Sequence, residues 1–152
     1  MDNIENLFTI SLNKYNDDFY ILKFVYNKHE ITDLRILKFI KNSENAINAL
    51  KNDKIKNVNL IFVLKDMIIP TNFSFIKEFI NIINKNSEIM INKVGFTIIE
   101  NEDNLFKIFI NIFKQYYKPY KSLYLCKNHE ETEMCLNDEE SRNKFPNITK
   151  LL

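Results

Sequence analysis

The chain has 152 residues, 45% of them hydrophobic and 27% charged, which suits one globular domain and excludes wholesale disorder. Its 21 Lys and Arg against 20 Asp and Glu leave a net charge of +1. No overall field therefore draws it to nucleic acid or an acidic membrane. Only Arg35 and Arg142 supply guanidinium groups, which weakens the case for reading phosphates or base edges further.

Residues 7–12 (LFTISL) alternate as a strand, 15–18 (YNDD) read as a turn, and 19–26 (FYILKFVY) read as a second strand. Together they predict an antiparallel hairpin. Thr32 and Asp33 start a helix carrying Leu34, Leu37, Ile40, Ile47 and Leu50, with a break expected at 42–45. Residues 58–64 (VNLIFVL) are apolar on both faces, as in a central covered strand. Pro70-Thr71-Asn72 opens a helix with Phe73, Ile76, Phe79, Ile80 and Ile83 on one face. Residues 93–99 (KVGFTII) form the next strand.

Asn101, followed by Glu102 and Asp103, starts a helix that runs to about Pro119. Residues 121–126 give a last short strand. Asn128 and Glu131 fit a capping pair for a helix through about Leu136. The polar stretch 138–152 reads as an extension with a last turn and a loosely held tail. The expectation is a single α/β domain over 1–137, in the order β-β-α-β-α-β-α-β-α. Its mixed sheet has about five strands, with helices mainly on one face.

Residues 53–67 (DKIKNVNLIFVLKDM), the opening hairpin and the segment 104–117, SLYLC and NHEET give this order its closest likeness. Over residues 6–137 the chain resembles the STAS domain of bacterial anti-sigma-factor antagonists. The resemblance implies a non-enzymatic regulatory or protein-interaction module with a protein partner. It also implies a phosphorylated serine in an Asp-Ser-Ser-Gly turn where the central strand meets the next helix. Here residues 68–74 read IIPTNFS, without that motif, which leaves Thr71 and Ser74 as candidate phosphoacceptors. The closing segment also resembles the lipid-carrying CRAL-TRIO layout, which implies a small-ligand or lipid carrier as the alternative. A structural part of a larger assembly, including a homo-oligomer, is a further alternative.

Ligands and partners of an open α/β sheet meet the carboxyl ends of its strands. The predicted binding rim gathers Asp66, Thr71, Asn72, Ser74, Glu100, Asn101 and Asn128, with Asp103 and His129 beside them. The same residue types also serve as helix caps. Asp66 and Glu100 could pair as acid and base, but two solvated acids are the plainer reading. Cys126, His129 and Cys135 lack metal-site spacing and a fourth ligand, so no metal is expected.

One glycine in the chain leaves no phosphate-cradling loop, and no cofactor or catalytic residue is expected. The basic amphipathic segment around Phe106, Phe109 and Phe113 reads as core packing rather than a membrane anchor. Two cysteines and an opening MDNIENLF without a basic and apolar leader point to a reducing cytoplasm. No stretch is apolar enough for a transmembrane segment. The excess of Ile, Asn and Lys is the mark of an A/T-rich genome.

Overall fold

The computed structural model describes residues 5–67, 73–102, 121–139 and 149–150, with backbone only for 73–76 and 149–150. It is an α/β fold built on one mixed sheet. Strands β1 (Phe8–Lys14) and β2 (Tyr20–Tyr26) form the expected antiparallel hairpin, with Phe8 opposite Tyr26. Asn16 makes the turn, its side-chain oxygen accepting from the Asp18 and Phe19 amides. Helix α1 (Asp33–Ala49) leads to β3 (Val58–Val63). Helices α2 (Phe73–Lys85) and α3 (Ser87–Asn92) lead to β4 (Val94–Glu100). Strand β5 (Ser122–Cys126), helix α4 (His129–Asn137) and the two-residue β6 (Thr149–Lys150) follow.

The sheet order is β1-β2-β3-β4-β5-β6. β2 to β5 are mutually parallel, and β6 returns antiparallel to β5. β3 lies inside the sheet, as its doubly apolar sequence requires. Val58, Leu60 and Phe62 face one hydrophobic cluster while Ile61 and Val63 face the other. α1, α2 and α3 pack on the first face through Phe39, Ile47, Ile80, Ile83 and Met90. α4 packs on the second through Cys135 and Leu136.

Three local findings depart from the sequence reading. The helix expected to break at 42–45 is continuous, because Phe39, Ser43 and Ile47 keep one buried stripe across the asparagines. Asn propensity costs only about 0.7 kcal/mol per residue, which burial overrides. The six-residue α3 was not foreseen; it buries Ile89 and Met90 ahead of β4. The stretch 138–152, read as a turn and a tail, contributes β6 at the sheet edge. The helix expected at 104–117 falls outside the described residues.

Gly95 marks an irregularity in β4. Val58 pairs with Val94 but Leu60 pairs with Thr97, so β4 carries one extra residue, a β-bulge. The buried Asn59 side chain fills it, its Oδ1 accepting from the Phe96 amide at 3.1 Å. A Cβ on Gly95 would stand 2.5 Å from that oxygen, so the close approach demands glycine.

Candidate functional site

The parallel strands β2, β3 and β4 end on one side of the molecule, where the predicted rim lies. Two backbone outliers meet there. Lys28 and Asp66 both adopt left-handed φ angles, 63° and 61°. For residues with a Cβ, such a conformation costs about 1–3 kcal/mol each and persists only when the surroundings hold it. Their side chains form a 2.9 Å ion pair across the ends of β2 and β3. The Lys28 ammonium holds the Asp66 carboxyl below the usual carboxylate range.

The other rim residues are engaged with the fold. Asn101 is buried, and its Nδ2 donates to the Leu64 carbonyl at 2.8 Å. The Asn101 amide donates to Cys126, and the Leu64 amide to the Glu100 carbonyl, so three strand ends are stitched together. The Glu100 carboxylate accepts from the Thr132 hydroxyl at 2.7 Å. Asn128 caps α4, accepting from the Glu131 amide, while Glu131 accepts from the Lys127 amide. Asp66 and Glu100 thus take different partners, Lys28 and Thr132. Thr71, Asn72 and Asp103 lie outside the described residues, and Ser74 is placed only by its backbone, in the first turn of α2.

Sequence reasoning did not single out Leu34 and Leu37 as surface residues; it counted both toward the core stripe of α1. They are 62% and 63% exposed. Both stand in the first two turns of α1, which leaves the β2 end of the rim. Phe39, Ser43 and Ile47 make the buried stripe, and Leu34 lies almost opposite it on a 3.6-residue helix.

Cys126 and Cys135 form no disulfide and are fully buried between β5 and α4. The neighbouring Cys135 sulfur, then burial, push the Cys126 thiol far above its ordinary range. The His129 side chain is 70% exposed and faces Glu133 instead, with Nε2 3.6 Å from Oε1. Because the thiolate and not the thiol reacts, iodoacetamide should leave both cysteines unmodified in the folded chain and label both in denaturant. A thiol raised in the fold stabilises it below the unfolded value of about 8.5 and loses that contribution as pH rises further. Urea midpoints should therefore fall above about pH 8.5, and less so in Cys126→Ala.

The second face of the sheet holds a groove the sequence reading missed. α4 covers β4 and β5 there, leaving Ser11, Ile21 and Lys23 of the hairpin uncovered by it. An open space of about 190 Å³ runs between them, with His129, Thr132 and Leu136 on the α4 wall. Tyr15 closes one end, its hydroxyl donating to Glu133 Oε2 at 2.7 Å and accepting from Asn137 Nδ2 at 2.9 Å. Burial, then the Glu133 carboxylate, raises the Tyr15 phenol above its usual range. His129, Glu133 and Asn137 recur every four residues, a one-faced helical spacing visible in the sequence.

Among the described residues, no group of three or more His, Cys, Asp or Glu could hold a metal ion, and no helix is long and apolar enough to cross a membrane. Comparison with protein-family models, with curated proteins and with solved structures gave no match.

Proposed function

We propose that the chain is a non-enzymatic, cytoplasmic regulatory module of STAS-like layout that docks a protein partner on the strand-end rim. The observation that carries this reading is the exposure of Leu34 and Leu37, three residues apart on α1. They stand at the same end of the sheet as the strained Lys28–Asp66 pair. Neighbouring exposed apolar groups one helical turn apart support a protein-binding surface there. Backbone strain of this kind clusters at functional sites. The carrier alternative draws less support. Phe24, Phe39, Phe62 and Phe79 fill the layer between α1, α2 and the sheet with ring centroids 4.6–6.4 Å apart.

The test is affinity purification of the full chain from its native host with quantitative mass spectrometry. Leu34→Ser/Leu37→Ser should lower recovery of a specific co-purifying protein at least about tenfold, the loss that ~1.4 kcal/mol produces. Ile91→Ser, at an exposed residue of α3 near the opposite strand ends, should leave it unchanged. Equal recovery with both variants would remove the rim from the account, and recovery of only further copies of the chain would replace the partner by a homo-oligomer.

A further inference from the structure

We propose that the groove between the hairpin and α4 is a binding site for a small organic monocarboxylate, separate from the rim. Lys23 would hold the carboxylate, and Ile21, Ile61 and Leu136 would take the apolar body.

Lys23 anchors the site. It sits in the middle of β2, half-buried, on the face left open by α4. Its in-register neighbours are Ser11 on β1 and Ile61 on β3, a hydroxyl on one side and a buried apolar side chain on the other. Among the described residues no carboxylate lies within ion-pair distance of it. The acid lining the same groove, Glu133, is held on the opposite wall by the Tyr15 hydroxyl. A half-buried lysine beside a serine in register, with no carboxylate paired to it among the described residues, is arranged to receive an anionic oxygen.

Charge and size narrow the class. Lys14, the other ammonium at the groove, is paired with Asp17. The first turn of α4 is capped by Asn128 and carries Glu130 and Glu131, so each further negative charge on a ligand is disfavoured. One unpaired ammonium matches a single negative charge, whereas a phosphate would call for more donors. A space of about 190 Å³ is smaller than a drug-sized pocket and suits a small aromatic or branched acid. The Tyr15–Glu133–Asn137 bridge closes one end, so the site takes a compact molecule better than a continuous chain.

The experiment is an amide NMR titration of the full-length 15N-labelled chain with benzoate. Benzamide and phenyl phosphate serve as neutral and doubly charged counterparts. Benzoate should give saturable shifts at the Ser11, Lys23 and Thr132 amides, with a Kd of about 1 mM for a ligand this small. Lys23→Met keeps the stem and removes the charge, and should weaken binding at least about fivefold; Lys23→Arg should retain it. Should Met unsettle the fold, Lys23→Gln gives the same reading. Benzoate shifts that do not saturate, benzamide binding as tightly, or an unaltered Kd in the charge-free variant would each overturn the site. Tighter binding of phenyl phosphate would overturn the monocarboxylate class.

Discussion

Phe24→Ala should destabilise the chain by about 3–5 kcal/mol, the largest single effect expected from a side-chain truncation here. Phe24 is almost fully buried in the middle of β2. Its ring stacks on Phe62 at 4.6 Å and meets Phe39 and Phe79 edge-on at 6.3 and 6.4 Å. One ring therefore joins β2, β3, α1 and α2 within the first layer. Removing it loses the transfer energy of the ring and leaves a cavity whose walls are themselves rigid aromatics, poorly able to collapse. Urea unfolding followed by circular dichroism measures the loss. A cost below about 1 kcal/mol would mean that the phenylalanine layer is loosely packed.

Gly95→Ala is expected to cost about 2–4 kcal/mol, although it adds one methyl group. The new Cβ would lie 2.5 Å from Asn59 Oδ1, so Asn59 must move and the Phe96 amide loses its acceptor. Loss of this part-buried hydrogen bond costs about 1 kcal/mol, and overpacking adds about 1–3 kcal/mol. A double-mutant cycle separates this from a general aversion of β4 to alanine. Asn59→Ala removes both the clash and the acceptor, so Gly95→Ala made in that background should be nearly neutral. Additive costs would show that the glycine answers to something other than Asn59.

The parts legible in the sequence are those fixed by neighbours along the chain. The hairpin follows from two β-branched and aromatic runs around Asn16. The interior place of Val58–Val63 follows from its double-faced apolarity, and the caps at Thr32 and Asn128 from their own side-chain chemistry. What escaped depends on contacts between distant residues. The bulge needs Asn59 to meet Phe96, 37 residues on, and the groove needs Tyr15 to meet Glu133, 118 residues on. Leu34 and Leu37 were misassigned because leucines at helical spacing fit more than one stripe, and packing chose the one through Phe39 and Ser43. At the rim, chemistry that suits partner binding also suits capping: Asn101, Glu100 and Asn128 make internal hydrogen bonds, and Asp66 pairs with Lys28.

The central claim is that this chain acts by docking a protein at the strand-end rim. Placing a photo-activatable phenylalanine analogue at position 37, and separately at 91, in the native host tests it most directly. A cross-linked adduct with one partner protein is expected from position 37 and none from 91. Adducts of equal yield at both positions, or from 91 alone, would contradict it.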